Sequence, residues 1–240
     1  MDNSAARPVI FDLDGTLVDS EPLYWEAARG VLAAHGAGEF TWEEHARFIG
    51  ISTVETMAAL RREYGLDAPV EQLVAEKDRA YLELATRSAR VFPAMLGLVE
   101  RLDAAGHPLA VASGSSRKAV EAVLGATGLH ALLPVRVSAE EVARGKPEPD
   151  VFLEAARLVG ADPACCVVVE DAAPGVEAAR RAGMRCVAVP YVRPADGDAD
   201  FAAAGLLFAG GQEEFDADRA YAWITRAAGT GRGGCPDGAR

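Results

Sequence analysis

The stretch Val9-Ile10-Phe11-Asp12-Leu13-Asp14-Gly15-Thr16-Leu17-Val18-Asp19-Ser20 constrains this chain most. Its apolar start reads as a short buried strand that ends in two carboxylates spaced two apart. Gly15 then breaks the strand and permits a tight turn. Carboxylates at the end of a buried strand are costly unless a cation or hydrogen bonds compensate them. The stretch therefore asks for partners elsewhere in the chain; an edge strand whose acids face water is the alternative.

From Leu23 to about Ser88 the pattern is helical. Ser20 or Asp19 can cap a first helix, with Pro22 in its first turn, and Leu23, Ala27, Val31 and Leu32 space one apolar face up to Gly36. Thr41 opens a segment Trp42 to Ile49. Thr53, Thr56, Met57 and Leu60 mark a third helix ending at Tyr64-Gly65, and Pro69 opens a fourth to about Thr86. No strand signal interrupts this block, which reads as an inserted helical module. After Arg90 helix and strand alternate. Helices are expected over Pro93 to Ala105, Arg117 to Thr127, Pro149-Asp150 to Val159, Gly175 to Ala182 and Glu213 to Ala228. Strands are expected at Leu109 to Ala112, Val135 to Val137, Cys166 to Val169, Cys186 to Val189 and Leu206 to Phe208. Such alternation predicts an α/β fold: a Rossmann-like parallel sheet covered on both faces by helices. The core is placed at residues 8–20 plus 90–226 and the helical insert at 21–89. Residues 1–7 and the glycine-rich 229–240 read as flexible tails.

At 240 residues, half of them hydrophobic, the chain can bury a large core. A formal net charge of −12 argues against a nucleic-acid or anionic-membrane partner. No apolar run reaches the ~18 residues of a membrane-spanning helix, and Met1 to Pro8 lacks the apolar stretch of a secretory signal. Cys165, Cys166, Cys186 and Cys235 show no zinc-type spacing and read as buried thiols in a reducing cytoplasm. The chain is read as a monomer.

In an open parallel sheet, ligands bind at the carboxyl ends of the strands. Three of the expected strands end in chemically loaded turns: Asp12/Asp14, Ser113-Gly114 and Glu170-Asp171. A fourth loop, Gly145-Lys146-Pro147-Glu148-Pro149-Asp150, carries a lysine just before a helix. In this order the four resemble the motifs of the haloacid dehalogenase superfamily: Asp12-Leu13-Asp14-Gly15-Thr16, then Ser113, then Lys146, then Glu170-Asp171. The resemblance covers about residues 8 to 215, and the helical block resembles that superfamily's inserted α-helical cap.

The resemblance implies an aspartyl-phosphate mechanism. Asp12 attacks phosphorus; Asp14 protonates the leaving alcohol and then takes a proton from water. Mg2+ is held by Asp12, the backbone carbonyl of Asp14 and Asp171, while Glu170 orders metal-bound water. Lys146, Ser113 and Gly114 steady the transferred group. The physical need is plain. A carboxylate approaching a phosphate dianion meets about 4 kcal/mol of repulsion per pair of unit charges at ~4 Å and an effective dielectric of ~20. Cations must offset it. The expected reaction is hydrolysis of a small phosphorylated metabolite, a sugar or polyol phosphate, with Glu21, Tyr24, Trp25 and the loop around Gly50 closing over the leaving group.

Alternatives differ in identifiable residues. The acids at Asp14 and Glu170-Asp171 speak against a dehalogenase. The cap's Lys77 reads as a solvated helix face, which speaks against the Schiff-base phosphonate hydrolases. Beta-phosphoglucomutases resemble the chain in core and cap. They carry His where this chain has Tyr24, and cap-loop cations where it has Ile49 and Thr53, so hydrolysis is favoured over phosphomutase activity. A catalytically silent binding protein on the same fold is the alternative from another class. His35, His45, His107 and His130 show no evident metal or base partner and read as surface or helix-end residues. The cap is expected to open about Val18 to Ser20 and Arg90 to Pro93.

Overall fold

Val9, Ile10 and Phe11 are fully buried and form β1, the strand on which the molecule is built. In the computed structural model of the protein, which describes residues 6–192 and 198–226, β1 lies between β2 (Leu109–Ser113) and β4 (Val167–Glu170). With β3 (Val135–Ser138), β5 (Arg185–Ala188) and β6 (Leu206–Leu207) these make a six-stranded, all-parallel sheet in the order β3-β2-β1-β4-β5-β6. The chain winds outward from β1 in one direction and then returns to wind in the other. This places a topological switch point at the carboxyl end of β1, where ligands of such sheets bind.

Side chains of a strand alternate between faces, and β1 divides them accordingly. Val9 and Phe11 pack with α5 (Pro93–Ala104), α6 (Arg117–Thr127) and α9 (Ala217–Thr225) through Leu98, Val123 and Ile224. Ile10 packs on the other face with α7 (Asp150–Leu158) and α8 (Ala173–Arg181) through Phe152 and Val176. Burying an aliphatic or aromatic side chain contributes about 1.5–3 kcal/mol, so both faces hold the sheet in place.

Between β1 and α5 lie α1 (Glu21–Ala34), α2 (Trp42–Ala46), α3 (Thr53–Tyr64) and α4 (Val70–Ser88), the inserted helical region. They share a separate core of Val31, Leu32, Phe40, Met57, Leu60 and Leu73. Helix α4 packs on α1 and α3, and across the gap on α6 of the sheet layer. The two connections to the sheet run side by side. Asp19 N donates to Arg90 O at 2.9 Å, Phe92 N donates to Leu17 O at 3.0 Å, and Val18 bridges Val91 in antiparallel fashion.

Several local expectations are corrected. Ser20 is the residue before α1, but its side chain makes no capping bond and its buried Oγ has no partner. The closing helix begins at Ala217, not Glu213: Asp216 caps it by accepting from Arg219 N at 3.0 Å, and Phe215 turns into the core instead of continuing a helix. Helix α2 stops at Ala46, and α8 starts two residues early, at Ala173, with Pro174 in its first turn. Cys166 and Cys186 are buried free thiols, as expected, and Cys165, next to Cys166 in sequence, is buried as well. Most of the two expected tails, together with Cys235, falls outside the described residues. Among the described residues no helix is long and apolar enough to cross a membrane.

Candidate active site

Register sets the site. Phe11 pairs with Val169 and Val111 on its two sides, so the residues after β1, β4 and β2 emerge together. Asp12 is buried, its N–H donating to Val169 O at 2.9 Å. Lys146 arrives from the loop before α7, and its Nζ lies 2.6 Å from Asp12 Oδ1 and 2.6 Å from Glu170 Oε1. The other oxygen of Glu170 accepts from the backbone N–H groups of Asp171 and Ala172 at 2.6 and 2.7 Å. Asp171 is held by Thr16, whose Oγ1 donates to Oδ1 at 2.9 Å.

Two glycines make room for these acids. Gly15 has φ +79°, and a Cβ there would lie 2.5 Å from Asp171 Oδ2. A Cβ on Gly175 would lie 1.7 Å from Glu170 Oε1, so α8 can begin where it does only because this residue has no side chain.

Asp12, Glu170 and Asp171 each offer one oxygen, all within 4.8 Å of one another. Ionised, the three carboxylates face one ammonium and leave two negative charges uncompensated. Burial, reinforced by Glu170 and Asp14 and opposed by Lys146, pushes the Asp12 carboxyl up to about 8. Burial with Glu170 and Asp12 lifts Asp171 well above the ordinary carboxylate range. Lys146 itself is held above its ordinary value by Asp12 and Glu170, against its burial. Oxygen donors carrying two excess negative charges fit a hard divalent cation of the Mg2+ type.

Asp14 stands on the other side of Asp12, toward the helical insert. Its Oδ2 accepts from Ser115 Oγ at 2.6 Å and Ser113 Oγ at 3.2 Å, and its Oδ1 from Tyr81 Oη at 3.1 Å. Ser113 Oγ also accepts from Ser115 N at 3.0 Å, which ties the turn together, and Gly114 sits exposed at its tip with nothing crowding it. Tyr24 Oη lies 2.7 Å from Ser115 Oγ. Burial and the Asp14 charge raise both phenols, so Tyr24 and Tyr81 remain protonated donors.

The insert supplies the remaining wall. Glu21 is buried and pairs with His45 Nε2 at 2.9 Å. A Cβ on Gly50 would lie 3.5 Å from the Cβ of Ala172, so the loop around Gly50 rests on the turn just past Asp171. Lys77 departs from the expected solvated helix face: it is buried. Its Nζ donates to Thr53 Oγ1 at 2.9 Å and sits 4.2 Å from the ring centroid of Tyr24. Of the histidines only His45 is corrected, being buried and paired with Glu21; His35 ends α1 and pairs with Glu76 at 2.7 Å, His107 Nδ1 meets Arg7 O at 2.8 Å, and His130 is exposed. Three residues of the site, Thr16, Ser115 and Tyr81, carry no role in the sequence motifs. Thr16 closes the first motif without a role read for it, and Ser115 stands beside the second, whereas Tyr81 looks like any apolar-face residue of α4.

The family model described as haloacid dehalogenase-like hydrolase matches residues 9–189. The chain belongs to that family. Fructose-1-phosphate phosphatase YqaB of Escherichia coli is 34% identical over 181 residues, 75% of this chain and 95% of that one. The bifunctional riboflavin kinase/FMN phosphatase of Arabidopsis thaliana is 34% identical over 185 residues, 76% of this chain, although the chain spans only about half (48%) of that protein's length. In three dimensions the chain is similar to CbbY of Rhodobacter sphaeroides in complex with phosphate. The TM-score is 0.75 at 29% identity, covering 87% of this chain and 98% of the other.

Proposed function

We propose that this enzyme is a Mg2+-dependent phosphomonoester hydrolase acting on a small sugar or polyol phosphate through an aspartyl-phosphate on Asp12. Residues 21–89 cap the core formed by 8–20 and 90–226. One observation carries the reading: an oxygen of Asp12 lies 2.6 Å from an ammonium and beside two further buried carboxylates. Ionised, the cluster keeps two uncompensated negative charges until a divalent cation enters. The sugar-phosphate class is supported by the similarity to fructose-1-phosphate phosphatase YqaB.

In the first step an Asp12 oxygen bonds to phosphorus as the bond to the leaving oxygen breaks, and that oxygen takes the proton carried by Asp14. In the second, a water oxygen bonds to phosphorus, Asp14 takes its proton, and the Asp12–phosphorus bond breaks. Lys146 offsets charge on the transferred group, and Ser113 and the N–H of Gly114 hold its oxygens. Asp12, Asp171 and the backbone carbonyl of Asp14 would hold Mg2+, whose contribution is to neutralise the approaching anions. Glu170 belongs outside that set, since both of its oxygens are already engaged by Lys146 and two N–H groups.

Acetyl phosphate and p-nitrophenyl phosphate should turn over with Mg2+ and not with EDTA, and Asp12→Asn should abolish both activities. Retained turnover in Asp12→Asn refutes covalent catalysis by that residue. A second reading, sugar phosphomutase, gains one observation: the Lys77 ammonium beside Thr53 puts a cation where the cap sequence showed none. Beta-glucose 1-phosphate with a bisphosphate primer, assayed for isomer against free phosphate, separates the two.

A further inference from the structure

Tyr24 of α1 and Tyr81 of α4 stack face to face, with ring centroids 3.9 Å apart and planes 4° from parallel. Both belong to the helical insert, and both hydroxyls leave it. Tyr81 Oη donates to Asp14 Oδ1, and Tyr24 Oη meets Ser115 Oγ, which in turn donates to Asp14 Oδ2. One turn before Tyr81 on the same helix face, Lys77 places its ammonium over the Tyr24 ring. Tyr81 is 2% exposed and Tyr24 is half-buried, so the stacked pair fills the seam between insert and sheet.

The Asp14 carboxyl hangs on two rotatable bonds. A proton donor works only within hydrogen-bond reach of the oxygen it protonates, and a misplacement of about 1 Å can cost on the order of 100-fold in rate. The serines of the core hold one carboxyl oxygen only; the other is held from the insert. We propose that Tyr81, directly, and Tyr24, through Ser115, are positioning residues that set the Asp14 carboxyl for proton transfer only while the helical insert is seated on the core. The inference rests on the phosphatase reading and adds to it two residues that the motifs do not contain.

A merely structural role would affect all substrates alike, whereas a positioning role discriminates between leaving groups. Those that depart as alkoxides need the proton of Asp14; those that depart as stable anions do not. The test measures kcat and KM for glycerol phosphate and for acetyl phosphate, with Mg2+, in the parent chain and in Tyr81→Phe, Tyr24→Phe and Ser115→Ala. Each variant keeps most of the packing. The readout is the ratio of kcat/KM for glycerol phosphate to that for acetyl phosphate, in which any loss of folded protein cancels. In Tyr81→Phe the ratio is expected to fall at least tenfold, through kcat and not KM. In Tyr24→Phe and Ser115→Ala it is expected to fall at least threefold. Ratios within twofold of the parent in Tyr81→Phe and Tyr24→Phe overturn the positioning role while leaving the phosphatase reading intact. No turnover of either substrate by the parent chain overturns both.

Discussion

Lys146 Nζ lies 2.6 Å from Asp12 Oδ1, although 134 residues separate the two in the chain. Both side chains are nearly closed to solvent, at 11% and 7% exposure, so the ion pair is not screened by water.

Removing one partner of a buried pair typically costs about 3–5 kcal/mol, because the other charge is left uncompensated. Lys146→Ala is therefore expected to lower the stability of the metal-free protein by roughly that amount, and to reduce kcat by on the order of 100-fold or more. Urea denaturation and steady-state kinetics check the two effects separately.

Mg2+ should raise the melting temperature in a concentration-dependent way, since a ligand that binds only the folded state stabilises it by mass action. In Asp171→Asn one of the three clustered carboxylates is neutral. This variant is expected to be more stable than the parent in EDTA and to gain less from Mg2+. Differential scanning calorimetry over a Mg2+ series shows whether the two curves cross.

Gly175→Ala tests the contact between α8 and Glu170. The added methyl would meet Glu170 Oε1 at 1.7 Å, so the carboxylate must leave its place. Overpacking of this kind costs about 1–3 kcal/mol. Since Glu170 also anchors Lys146, kcat/KM should fall at least tenfold. Alanine at Gly97 of α5, where a Cβ meets nothing within 4 Å, is the matched control: it should leave kcat/KM unchanged and, inside a helix, raise stability by about 0.5–1 kcal/mol.

Burial pushes the Lys77 ammonium down to about 8, with Asp78, Glu21 and Asp14 opposing. Its unfolded value is 10.5, so between pH 8 and 10.5 the unfolded chain binds more protons than the folded one, and stability rises with pH across that window. Below pH 8 the cost of burying the charge is fully present, at most (10.5 − 8) × 1.36, or about 3 kcal/mol. Lys77→Met is expected to be the more stable form at pH 7, with the difference shrinking as pH approaches 10.5. Urea denaturation of both forms from pH 7 to 10 measures it.

The strand-ending acids, the serine turn and the lysine loop were legible because each belongs to a short contiguous segment whose residue types carry their own meaning. The alternation of apolar strands and amphipathic helices likewise prescribed a parallel sheet, since strand burial on both faces leaves no other arrangement. Lys77 was illegible for the converse reason. Its helix face shows the same spacing whether it meets water or Tyr24 and Thr53. Glu21 shows the limit from another side: its partner His45 lies 24 residues away, on a helix whose direction no local pattern states.

The chain's linear order thus determined the sheet, the inserted helices and the four loops at the strand ends, because hydrophobic periodicity and turn chemistry act over a few residues. Only the tertiary structure decided which side chains meet in pairs. The hold of Tyr81 on Asp14, of Thr16 on Asp171 and of Gly175 on Glu170 depends on how α4, the turn after β1 and α8 are placed against one another. That placement comes from packing summed over the whole core, and no single segment encodes it.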